Sequence, residues 1–223
     1  MTIPELIDKQ DSIEIIRDQI AAILVVEIAN QQVLAAAALK DPDDWKLRIF
    51  TERSNPWEQY LNDQSDPSPL VNIWIDNSNY DPKASNAIER QKTSAVYNID
   101  CYGYGMSEDI PAGGHRPGDK EAALEVQKAV RLVRNILMAG ENTYLQLRGL
   151  VWSRWPQSIT IFQPQLDGRT VQQIVGARIA FRVEFNEFSP QVPSVELELL
   201  TVDVKRLEDG EIILEADYEY PLP

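Results

Sequence analysis

Residues 12–39 can hardly form anything but a long helix, and that helix needs more than one packing partner. Ile13, Ile16, Ile20, Ile23 and Leu24 recur at the three- and four-residue intervals that stack side chains on one helical face. Asp11 followed by Glu14 has the spacing of a capping box, which satisfies two of the amide donors orphaned at a helix start. Asp41-Pro42 marks the stop, because proline lacks the amide that would continue the ladder. The second half, from Val25, Val26 and Ile28 through Val33 and Leu34 to Leu39, is apolar on more than one side. A helix apolar on two faces requires two partners. One is expected to be the protein's own sheet and the other a neighbouring subunit, with Val25, Val26, Ile28, Val33 and Leu34 as the candidate contact residues. The plainer alternative is a helix sunk into a larger core. The most apolar window, residues 20–29, contains Glu27 and falls short of the roughly 20 apolar residues a membrane span needs. With no basic, apolar leader at Met1-Thr-Ile-Pro-Glu-Leu, a soluble protein without a membrane partner is expected.

The rest of the sequence alternates like sheet. Residues 45–50 read as a strand, and residues 51–69 follow as a polar stretch punctuated by Asn55-Pro56, Asp66-Pro67 and Ser68-Pro69. Residues 70–76 place Val71, Ile73 and Ile75 on one face, and residues 91–104 do the same with Ala95, Tyr97, Ile99 and Cys101. Residues 77–90 read as loop. A glycine- and proline-rich loop, residues 105–118, leads to a second helix, expected to be capped by Asp119 and to end near Met138 and Gly140. Residues 144–152 and 158–163 read as two strands broken at Arg154-Trp155-Pro156. Residues 175–185 alternate most cleanly, with Ala177, Ile179, Phe181, Val183 and Phe185 pointing one way. Residues 195–204 and 211–220, joined through Glu208-Asp209-Gly210, read as a hairpin appended after residue 189. The expected fold is therefore α+β: a largely antiparallel β-sheet packed by two main helices, in a domain of residues 1–189, with a C-terminal hairpin extension at 190–223.

Charge narrows the function. The chain has 35 acidic and 21 basic residues, a net charge of −14. Nucleic-acid binding depends on Lys and Arg displacing condensed counterions, so the chain as a whole should repel DNA. A local basic patch around Arg148, Arg154, Arg169, Arg178 and Arg182 is the one counter-reading, set against an ordinary solvated face. One cysteine, Cys101, excludes an internal disulfide, and one histidine, His115, leaves a zinc site without its ligand set. No cofactor is expected.

Catalytic motifs are approached and missed. Gly113-Gly-His-Arg-Pro-Gly118 lies between strand and helix, where a phosphate-binding loop belongs. Asp119, however, occupies the position of the essential lysine, and Lys120 that of the hydroxyl. Gly103-Tyr-Gly105 would begin a dinucleotide fingerprint, but Glu108 stands at its third glycine. A Cys101–His115 dyad would need a thiol that the strand pattern assigns to the core. Asp76, Asp81, Asp100, Glu108 and Asp109 would have to gather to bind magnesium as a nuclease does; among 35 acidic residues some clustering is expected without function. Trp45, Trp57, Trp74, Trp152 and Trp155, with Tyr97, Tyr102 and Tyr104, suit interface anchors or an ordinary core. These residues specify no enzyme.

The order of elements carries a resemblance. A long first helix precedes strands, and Tyr97-Asn-Ile-Asp-Cys-Tyr-Gly-Tyr-Gly105 leads through a loop into the helix from Ala122 to Met138. Strands then end in Gly176-Ala-Arg-Ile-Ala-Phe-Arg-Val-Glu-Phe185. Over residues 10–188 this resembles the tail terminator proteins of long-tailed bacteriophages, the family of the minor tail protein U fold. Residues 51–69 and the C-terminal hairpin depart from the minimal family pattern. The resemblance implies a virion protein assembled in the host cytoplasm into a ring, commonly a hexamer. Such a ring caps the tail tube, stops its growth and meets the head connector or neck protein, with a tail sheath as a further partner in contractile tails. DNA would pass through without specific binding. Ile110, His115 and Arg116, in the loop 105–118, are the candidate residues reaching an adjacent ring. Another neck or tail-completion component is the alternative, and a magnesium-dependent phage enzyme built on the carboxylates is the less favoured one.

Overall fold

The computed structural model describes residues 8–62, 66–80, 90–106, 108–110, 114–116, 118–166, 169–170, 173–188, 199–208 and 211–221. Its contacts divide the chain into two units, one of them Asp8–Ser189 and the other holding Pro190–Pro223. The larger unit begins with helix α1, Ser12–Ala37. The capping box forms as the sequence indicates: the Asp11 amide donates to Glu14 Oε2 at 2.9 Å, and the Asp11 carboxylate accepts from the first-turn amides. The helix stops before Pro42 is reached. Leu39 turns left-handed (φ 57°), and the Lys40 amide folds back to the Ala35 carbonyl at 2.9 Å. Pro42–Trp45 is then a 3-10 turn and not the expected start of a strand, because the Asp41 carboxylate accepts from the Asp43 amide at 3.0 Å and caps it.

Strand β1 is Arg48–Thr51, and a short helix α2 occupies Gln59–Asn62. β2, Leu70–Tyr80, runs further than the expected loop boundary, and β3 is Arg90–Tyr104. β4 (Glu108–Ile110) and β5 (Gly114–Arg116) pair as a small hairpin inside the expected loop. Helix α3, Gly118–Met138, starts one residue ahead of Asp119, whose carboxylate accepts from the Lys120 amide at 2.7 Å within the first turn. β6 (Val151–Phe162), β7 (Gln165–Leu166), β8 (Arg169–Thr170) and β9 (Ile174–Phe188) follow. The main sheet has five strands in the order β1-β2-β3-β9-β6, with β1 and β2 parallel and every other neighbour antiparallel.

Two expectations about this sheet change. Residues 144–150 are turns, with Leu145 and Gln146 at positive φ, so no strand begins there until Val151. Arg154-Trp155-Pro156 does not break β6, because β6 is an edge strand. The missing proline amide is tolerated where one side has no neighbour, and the register shifts between Pro156 and Ser158 to absorb it.

One face of the sheet carries the core. Val71 and Ile73 of β2, Ala95, Tyr97, Ile99 and Cys101 of β3, and Ile179, Phe181, Val183 and Phe185 of β9 meet Ile16, Ile20, Leu24 and Ile28 of α1 and Ala129, Val133 and Leu137 of α3. The second face is polar along its middle. At one end it is closed by Trp57, Tyr60, Tyr102 and Tyr104, where Tyr60 stacks on Tyr104 at 5.2 Å. The smaller unit contains the hairpin of β10 (Leu199–Glu208) and β11 (Glu211–Pro221), antiparallel with a register shift after Arg206.

Candidate subunit interface

Among the described residues, Cys101 and Asp100 are engaged in the fold. Cys101 is fully buried, and burial, reinforced by the nearby Asp100 charge, pushes its thiol well above the ordinary value. That is the opposite of what a nucleophile needs. Gly103 and Gly105 are packing points for the start of α3. A Cβ on Gly103 would run into the Ala122 carbonyl and lie 2.9 Å from the Val126 amide, and one on Gly105 would overlap the Gly118 carbonyl. Asp100 is 2% exposed and accepts Arg178 Nε at 2.7 Å, Arg178 Nη2 at 2.9 Å and Trp74 Nε1 at 3.0 Å. Asp76 is exposed, Asp81 and the side chains of Glu108 and Asp109 lie outside the described residues, and among the described residues no group of three metal-ligating side chains occurs.

Of the arginines in the candidate basic patch, Arg148 is exposed, while Arg154, Arg178 and Arg182 are held by other contacts. The Arg178 guanidinium lies 4.8 Å from the Trp74 ring and 5.6 Å from Phe162 while it grips Asp100. Arg182 donates to Ser94 Oγ at 2.9 Å beside Trp155. Arg154 donates to the Asn142 and Ala139 carbonyls just past the end of α3. The Arg169 side chain lies outside the described residues. Of the aromatics, Trp57, Tyr97, Tyr102 and Tyr104 are core, and Trp152 is exposed.

What remains is α1. Val25, Val26, Val33 and Leu34 are 53%, 69%, 67% and 52% exposed. Ile28 is not with them: at 5% exposure it continues the Ile20–Leu24–Ile28 row, spaced by four, that packs on the sheet. Of the proposed contact residues, four point outward and one belongs to the subunit's own core. The exposed face also takes in Ala22, Ala29 and Ala36, which alternate with Val26 and Val33 at four- and three-residue steps. Alanine is neutral on any face, so the step pattern is the signal in the sequence that marks them as contact residues. Helix α1 as a whole is long and apolar enough by composition to cross a membrane, although residues 20–29 alone are too short to do so. Here, however, its inner row is seated on the sheet. The neighbouring α3 behaves conventionally, with Lys120, Glu121, Arg131 and Arg134 exposed and its apolar row buried.

A second apolar patch lies at the opposite edge of the sheet. Ile159 and Ile161 of β6 are 43% and 62% exposed, and with Val126 and Val130 of α3 they form a groove rimmed by Arg131 and Arg134. Nothing in the sequence distinguishes these isoleucines from core, since β6 alternation places them on the helix-facing side. Ile110, His115 and Arg116 fall in the β4–β5 hairpin; their side chains lie outside the described residues. No family profile matches the chain, and no curated protein matches it either.

Proposed function

We propose that this protein is a structural subunit that closes into a ring with copies of itself. More specifically, we propose a tail terminator of a long-tailed bacteriophage, capping the tail tube and joining it to the head connector. The observation that carries the reading is the outward face of α1, where four large aliphatic side chains are more than half exposed on a helix already anchored to its own sheet. Isolated apolar residues on a surface are ordinary, but Val26 and Val33, joined by the exposed Ala22, Ala29 and Ala36 and flanked by Val25 and Leu34, make a broad apolar helix face of the kind that marks a contact. The net charge of −14 suits a lumen through which DNA passes without adhering. The buried Cys101 and the paired Asp100 leave those two groups no catalytic role in this reading.

The test is the mass of the purified protein in solution, followed by electron microscopy with and without tail tubes. A closed oligomer near six subunits that binds tube ends is the expected result. A monomer at high concentration that neither tubes nor connector proteins recruit overturns the proposal. Closed rings that bind connectors but not tubes would make the protein a different neck component.

A further inference from the structure

We infer that the outward face of α1 docks head-to-tail into the α3–β6 groove of the next copy of this chain. The inference rests on the ring reading and assigns its two contact faces. Helices on a sheet stand about 8–10 Å apart and strands about 4.8 Å apart, so each helix covers roughly two strands. Here α1 lies against β1 and β2, and α3 against β3 and β9. The fifth strand, β6, is only partly covered on the helical side: Val151 is buried in the core, while Ile159 and Ile161 are exposed beside buried neighbours on β9. The subunit thus has a helix with one apolar face too many and a sheet that its own helices do not finish covering.

Charge selects between the two ways in which copies could pair. From Asp18 to its end at Ala37, α1 contains no Lys or Arg. Glu27 accepts amide hydrogens from Gln31 at 2.8 Å and Asn30 at 3.1 Å, and has no cationic partner among the described residues. The last turn of the helix, where the dipole is negative, has no basic residue either. On the groove, Arg131 and Arg134 make no ion pair among the described residues. Two α1 faces brought together would set like charges opposite each other with no cation within the stripe. Glu27, one step round the helix from Val26, flanks the stripe, so a stripe laid in the groove brings Glu27 and the helix end toward two guanidinium groups that make no ion pair among the described residues. The apolar area supplies the affinity, and the rim charges set direction and register. Because the two patches are different and lie at opposite edges of the sheet, the contact is heterologous, the kind that generates closed rings.

The test uses charge reversal at the half-buried Glu27 and the exposed Arg131 and Arg134 of the full chain, read by light scattering and sedimentation. Glu27→Arg alone, and Arg131→Glu with Arg134→Glu, should each weaken assembly by about three- to tenfold per reversed contact. Combining all three should restore it, which a merely folding-related loss would not show. A chemical cross-linker between Val33→Cys and Ile161→Cys should yield a ladder of multimers from the double variant and none from either single variant. Rings that persist unchanged through every reversal would overturn the docking and leave the ring reading standing. A lone Val33→Cys variant that cross-links as a dimer would instead show two α1 faces meeting. Flotation with phosphatidylcholine vesicles, lost in Val26→Asp, would give the stripe to a bilayer and overturn the docking. Absence of any oligomer at high concentration would remove both readings together.

Discussion

Asp100 and Arg178 meet across β3 and β9 through two hydrogen bonds, and the Trp74 indole closes on the same carboxylate. A carboxylate with 2% exposure is tolerable only while those donors are present. Asp100→Leu should therefore cost about 2–4 kcal/mol in urea unfolding, and the Asp100→Leu/Arg178→Leu pair should cost less than the sum of the two single changes. Asp66 gives a pH signature. Its partial burial opposes ionisation, but hydrogen bonds from Ser68 and Lys46 and the Arg48 charge prevail and hold the carboxyl at about 2, below the unfolded value of 3.8. A depressed carboxyl contributes stability that is present above pH 4 and is lost as pH falls through 2. Discounted for solvent screening, Asp66→Asn should lower stability by about 1 kcal/mol at pH 7. Thermal unfolding at pH 7, 5, 3 and 2 should show the gap between variant and parent closing toward pH 2. A gap that stays constant across that range would mean the ion pair contributes nothing.

At the scale of elements, the approach of α3 to β3 depends on Gly103, where a methyl group would strike backbone rather than a movable side chain. Gly103→Ala should destabilise the protein by about 1–3 kcal/mol without changing its secondary-structure content, measured by circular dichroism through a urea titration. Gly140→Ala, where a methyl meets nothing within 4 Å, is the matched control and should be close to neutral. That Gly103 was glycine was plain in the sequence; that α3 crosses it was not, because the crossing is a tertiary fact. The same division holds elsewhere. The Asp11–Glu14 cap and the alternation of residues 175–185 were legible, since each is set by local hydrogen bonding or by a period of two. Pro156 misled because proline breaks a central strand and not an edge one, and only the strand order shows that β6 is an edge. The outward stripe of α1 was legible for Val25, Val26, Val33 and Leu34. Ile28 was misplaced because an apolar run does not say which of its faces the sheet takes.

Over the whole molecule, association and folding are linked by mass action. If the exposed row of α1 is buried between copies, the folded state gains free energy with protein concentration that the unfolded chain does not. The apparent melting temperature should then rise by several degrees between low-micromolar and hundred-micromolar protein, with the subunit's own core unchanged. Val26→Asp puts a carboxylate on a side chain that is 69% exposed in the single subunit, so it should fold normally and match the parent at the lowest concentration. In the assembled state the same carboxylate would be desolvated without a partner, which costs more than surface substitutions ordinarily do. The variant's melting temperature should therefore stay flat with concentration while the parent's climbs. Ile28→Asp must behave differently: with 5% exposure it strikes the subunit's own core and should lower the melting temperature at every concentration. Parallel curves for parent and Val26→Asp would show that α1 presents its apolar face to water in the working protein, and the assembly reading would lose its main physical support.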